Sequence, residues 1–109
     1  MEITRGDTHS YYFQRKRDGE PITTEAENIY FTVKNNNYNE EVVFQKTIDD
    51  MDFDENYYYH FTINPEDTNG LDYGDYVYDI EVKIDTYTRT IAKGILSITK
   101  EATFPKNEV

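Results

Sequence analysis

The 109 residues contain no cysteine and no tryptophan, and only 3 prolines, 5 glycines and 2 histidines. Without cysteine, disulfides, thiol catalysis and zinc–thiolate sites are excluded. Cations are scarce as well: 11 Lys and Arg stand against 22 Asp and Glu, a formal net charge of −11. That deficit removes the pool of positive charge needed to neutralise nucleic-acid phosphates or to hold an anionic membrane surface. No stretch approaches the roughly 18 apolar residues of a spanning helix. The first residues, Met1 to Asp7, lack the basic and apolar regions of a signal peptide, so the expectation is a cytoplasmic site of synthesis. The length implies one domain with one modest core.

Aromatic residues are abundant. Eleven Tyr and six Phe make up 16% of the chain. Low hydropathy with high net charge otherwise marks disorder, but disordered chains are poor in aromatic and β-branched residues. Here those residues recur in short alternating runs. Tyr11 and Phe13 share a face within 8–15, and Asp18-Gly19-Glu20-Pro21 is a turn. Ile29, Phe31 and Val33 alternate with Tyr30, Thr32 and Lys34, and Asn35-Asn36-Asn37 forms the next loop. Val42 to Phe44 lies in a further strand. Tyr57, Tyr59, Phe61 and Ile63 share a core face, which leaves Tyr58 outside beside Tyr30. Pro65 and Gly70 end that strand. Tyr76, Tyr78, Ile80, Val82 and Ile84 form the longest apolar parity, with acids and lysine on the other side. In the last strand, 89–99, the apolar phase slips near Gly94, where a bulge is expected.

Several short strands separated by turns indicate an all-β chain. The spacing Leu71-x-x-Gly74-x-Tyr76 at the start of a strand resembles the tyrosine corner of immunoglobulin-like domains. An immunoglobulin-like antiparallel β-sandwich of about seven strands over residues 1–100, with a C-terminal tail at 101–109, is therefore expected. Chemistry is thinly represented. His9 and Ser10 are neighbours on a strand and point to opposite faces, so they do not pair as base and nucleophile. Asp50 to Asn56 spaces oxygen ligands like the start of a calcium loop, but Glu55 and Phe61 stand where Gly and Glu are required. The acidic stretch 49–56 is accordingly read as a solvated loop. Arg5-Gly6-Asp7 is read as a turn rather than an adhesion motif. No catalytic, cofactor-binding or metal-binding residue is assigned, and no cofactor is expected.

Several segments together carry a resemblance. They are Ile3-Thr4-Arg5-Gly6-Asp7-Thr8, Asp18-Gly19-x-Pro21-Ile22, Ile29 to Lys34, Ile63 to Thr68, Leu71 to Val82 and Thr90-Ile91-x-x-Gly94-x-Leu96. The set resembles small immunoglobulin-like proteins from the tail and baseplate regions of phages and prophages of gut Firmicutes. The resemblance implies a non-enzymatic structural or accessory virion protein, made in the host cytoplasm and then built into the particle. Its partners would be other phage structural proteins or further copies of itself, without nucleic acid or membrane. Contact residues would be Arg5, Asp7, Tyr30, Tyr58 and the 64–75 loop, including Asp67 and Asp75. A carbohydrate- or cell-surface-binding module using exposed Tyr is the alternative, with a small enzyme a distant third.

Overall fold

A computed structural model describes residues 1–36 and 40–100. Asn37 and the 101–109 tail lie outside the described residues. The elements are β1 (Glu2–Thr4), β2 (His9–Gln14), β3 (Lys16–Arg17), β4 (Glu20–Pro21), β5 (Asn28–Asn35), β6 (Val42–Thr47), β7 (Asp52–Phe53), β8 (Tyr58–Ile63), the one-turn helix α1 (Pro65–Thr68), β9 (Gly74–Ile84) and β10 (Tyr87–Thr99). One sheet has the order β1-β10-β9-β5-β6 and the other β2-β8-β7, while β3 and β4 form a separate hairpin. All pairings are antiparallel except β1 with β10. The strand order is that of an immunoglobulin-like sandwich, with β2-β8-β7 facing β5-β9-β10 and β6 extending the larger sheet. Eight strands make the two layers, one more than the sequence count.

Alternation places the core where the sequence put it. Ile29, Phe31 and Val33 are fully buried from the large sheet, and Tyr59, Phe61 and Ile63 from the small one. Phe31 and Phe61 meet between the layers with ring centroids 4.7 Å apart, and Phe13 stacks on Tyr59 at 5.3 Å. The Tyr59 hydroxyl accepts the Ala26 N–H at 3.0 Å, so this core tyrosine brings its polar tip to a backbone donor. Lys46 lies opposite Phe31 on the inward parity of β6, and its ammonium is neutralised by Asp67 at 2.7 Å. A buried lysine needs such a partner because an unpaired charge in the core is costly.

The turns follow their residues. Asp18 and Gly19 both take positive φ, 52° and 82°, as a two-residue hairpin turn between β3 and β4 requires. Gly6 has φ 81° in a turn closed by the Asp7 N–H on the Thr4 carbonyl at 3.2 Å.

Three expectations are corrected. The bulge in β10 lies between Thr90 and Ala92, at Ile91, and Gly94 is in regular register opposite Tyr78. Gly94 instead faces the Tyr78 ring, whose atoms would stand 3.1 Å from an added Cβ and would have to yield by a few tenths of an ångström. Tyr57 is not a strand core residue. It has φ 68° in the turn before β8, is half-buried, and packs near Phe53. Tyr30 and Tyr58 share no surface, since β5 and β8 belong to different sheets.

Candidate functional site

Two strands of the large sheet outrun the small sheet. β9 and β10 contain 11 and 13 residues, whereas β2 and β8 contain 6 each. The bulge at Ile91 then decides which β10 side chains face inward at the overhang. Below it Ala92 opposes Ile80, and above it Arg89 opposes Val82 and Tyr87 opposes Ile84. Directly opposed residues point to the same side, so Arg89 and Tyr87 continue the core-facing surface after the second layer has ended. Ile84, Tyr87 and Ile91 are 38%, 56% and 40% exposed there.

The chain beyond β2 turns back to flank this overhang. Arg15, Lys16 and Arg17 lead into the β3–β4 hairpin, and together with Arg89 they line a groove of about 440 Å³ floored by Phe13, Ile80 and Val82. Among the described residues no Asp or Glu lines it, in a chain with 22 of them. Among the described residues none of these four cations forms an ion pair. Arg15 is the unusual member, being only 7% exposed. One guanidinium nitrogen donates to the Thr24 carbonyl, and the Nε has no acceptor. The guanidinium lies 6.0 Å from the centre of the Tyr59 ring.

One side of the groove is also an open sheet edge. β1 pairs with β10 only at Ser97 to Thr99, and the Met1 ammonium donates to the Ile95 carbonyl at 3.1 Å. Among the described residues, β10 is paired on its β9 side alone between Tyr87 and Gly94. Half the main-chain groups of such an edge are left for solvent or for another strand.

The residues singled out in the sequence are elsewhere. Arg5, Gly6 and the 64–75 loop do come together, at the far end of the sandwich. The Arg5 guanidinium donates to the Leu71 carbonyl at 3.2 Å and sits 4.2 Å over the Tyr73 ring. The Gly6 N–H donates to the Thr68 hydroxyl at 2.9 Å. Asp67 pairs with Lys46 and accepts the Asn64 N–H at 2.7 Å, capping α1. Asp75 accepts the Ser97 hydroxyl at 2.6 Å, while Asp7 is exposed and makes no side-chain hydrogen bond among the described residues. In the corner segment, the Tyr76 hydroxyl donates to the Asp72 carbonyl at 2.8 Å, Leu71 is half-buried and Gly74 has φ 132°. Burial first, then the Asp72 charge, pushes the Tyr76 hydroxyl above its ordinary pKa.

Tyr30 accepts a hydrogen bond from the Asn28 side chain on the outer face of the large sheet. Tyr58 lies on the outer face of the small sheet, edge-on to Tyr12 at 5.4 Å, with His60 5.7 Å from Tyr12. Tyr12 is 68% exposed, which makes it the centre of this aromatic patch. His60 reaches Asp54 at 2.7 Å. That hydrogen bond, with the Tyr58 and Asn56 N–H groups, holds the Asp54 carboxyl below its usual value. Asp54 therefore organises the β7–β8 turn. Within the acidic run 49–56, Asp50 also makes a turn contact, accepting the Thr47 N–H at 2.8 Å, while Asp49, Asp52 and Glu55 are exposed. Among the described residues no three Asp, Glu or His side chains gather as a metal site would need.

Sequence reasoning missed the basic groove. Its visible signal is Arg15-Lys16-Arg17, three consecutive cations in an acidic chain. No helix among the described residues is long and apolar enough to cross a membrane. No protein-family model matches the chain, and no curated protein matches it in sequence.

Proposed function

We propose that this protein is a non-enzymatic contact module of a phage or prophage particle, a structural or accessory component that binds another polypeptide through the overhanging end of its sandwich. The observation that carries this reading is the β9–β10 overhang. It combines exposed Ile84, Tyr87 and Ile91 with an unpaired strand edge, and exposed apolar residues beside an open edge are what a partner strand can cover. Immunoglobulin-like sandwiches present loops at this end in binding domains, which supports the choice of end by analogy. The virion setting rests on the sequence resemblance. Particles purified after prophage induction, analysed by quantitative mass spectrometry, test it. The chain is expected to copurify with particles in fixed ratio to their other structural proteins, and its absence from intact particles contradicts the proposal.

A second reading has one observation in its favour. The Tyr12–Tyr58–His60 patch is an exposed aromatic surface of the kind on which sugar rings stack. Glycan-array binding that Tyr12→Ala abolishes would move the function to that face.

A further inference from the structure

The cationic groove has a more specific meaning than a generic contact surface. Four of the 11 Lys and Arg line it, in a protein of net charge −11, and among the described residues no carboxylate does. Acidic side chains are plentiful enough that intramolecular neutralisation was open to all four. Arg15 adds an independent signal. Its side chain is more than nine-tenths buried, without an ion-pair partner among the described residues and with an Nε that has no acceptor. A guanidinium withdrawn from water keeps its charge, because its pKa is too high for it to shed the proton. Its field in the adjoining groove is weakly screened, and an incoming anion there offsets a desolvation cost the fold has already met.

We propose that the groove receives an extended acidic segment of a partner polypeptide, with carboxylates against Arg15, Arg17 and Arg89 and apolar side chains on Ile84 and Tyr87. The edge fits such a segment. β10 runs regularly from Tyr87 to Thr90 before the Ile91 bulge, so a short incoming strand can pair there. Every second side chain of that strand would face the groove, so its acidic and apolar groups would share that parity, carboxylates at the cations and apolar groups beside Ile84 and Tyr87. Apolar contact and main-chain pairing would hold the segment, and the cations would select its charge. This inference rests on the contact-module reading and names the chemistry of its partner.

The test is NMR titration of the ¹⁵N-labelled full chain with a capped nine-residue peptide that has Thr at odd positions and Glu and Val in turn at even ones, against the same peptide with Gln in place of Glu. The Glu peptide is expected to give saturable shifts at the amides of Arg15 to Arg17 and Tyr87 to Ala92, and to move the Arg15 Nε–H resonance. Arg89→Glu, an exposed change that leaves the core intact, is expected to weaken binding about tenfold or more. Raising salt from 50 to 500 mM is expected to weaken it about fivefold. Equal affinity for the Gln peptide, no saturable shift at about 2 mM, or shifts confined to the Tyr12 face would overturn the inference. If the chain is found in particles but its groove ignores the Glu peptide, this inference fails and the contact-module reading stands. Peptide binding at the groove by a chain absent from particles supports the groove and removes the virion role.

Discussion

Replacing Tyr76 by Phe deletes one oxygen from a side chain that is 7% exposed and whose hydroxyl donates to the Asp72 carbonyl at 2.8 Å. The ring remains, so the packing against the core is kept and the hydrogen bond is isolated. Asp72 is an exposed residue, and its carbonyl can take a water when the hydroxyl is gone. The loss is therefore close to the net value of one hydrogen bond, about 1 kcal/mol, rather than the ~3 kcal/mol of a stranded buried acceptor. For a domain of this size that is a fall in Tm of about 4–5 °C. Tyr76→Ala also removes the ring and is expected to cost about 3–5 kcal/mol. Urea unfolding followed by far-UV circular dichroism measures both, since the other tyrosines complicate a fluorescence signal.

Alkaline pH gives a second reading of the same bond. Burial and the Asp72 charge raise the folded hydroxyl above its ordinary value of 10.0. Ionisation is then easier in the unfolded chain, so the contribution is complete below that ordinary value and is lost as pH rises through the folded one. The gap between wild type and Tyr76→Phe must narrow above about pH 10. A Tyr76→Phe protein as stable as wild type at pH 7 would falsify the corner's role as a stabilising tie.

Other substitutions probe the remaining layers. Asp67→Ala is expected to cost about 3 kcal/mol, because it strands the buried Lys46 ammonium and uncaps α1. Lys46→Ala should cost less, as Asp67 keeps the Asn64 N–H, and the reverse order in urea unfolding would refute this assignment. Gly94→Val is expected to cost about 1–2 kcal/mol by pushing a side chain into the Tyr78 ring. Tyr78→Ala should recover most of that cost in a double-mutant cycle, and additive effects would rule the contact out. Asp54 has its folded pKa lowered by His60 and two backbone donors, so its contribution is present above the ordinary carboxylate value and lost as pH falls through the folded one. Asp54→Asn should flatten the acid side of the stability profile, and parallel profiles would show that the turn does not depend on that charge.

The layers were legible because antiparallel strands with one wet face alternate in residue type, as 29–33 and 59–63 do, although Thr32 on the outer parity is buried as well. The Asp18-Gly19 turn was legible from residues that tolerate positive φ. The bulge was misplaced because glycine is a common mark of irregular pairing, whereas here Gly94 makes room for an aromatic ring. Ile91, the bulged residue, looked like another apolar strand position. The misplacement exchanges Ala92 and Lys93 between faces but leaves Arg89 inward either way, and the groove stayed hidden because local periodicity does not show that the second layer ends before Arg89. Arg5, Asp67 and Asp75 were plausible contacts as exposed loop charges, and the fold instead gives each an internal partner. Such pairings join residues up to 66 positions apart, which local periodicity does not encode.

Lysine cross-linking of purified particles tests most directly whether this protein works through its overhanging end. Lys16 lines the groove and Lys83 lies beside Ile84 near the hairpin tip, while Lys34 and Lys93 stand opposite Val77 and Asp79, farther from that end. Cross-links from Lys16 and Lys83 to a second protein of the particle, lost with Arg89→Glu, are the predicted result. Cross-links confined to Lys34 and Lys93 would place the partner away from the overhang and contradict it.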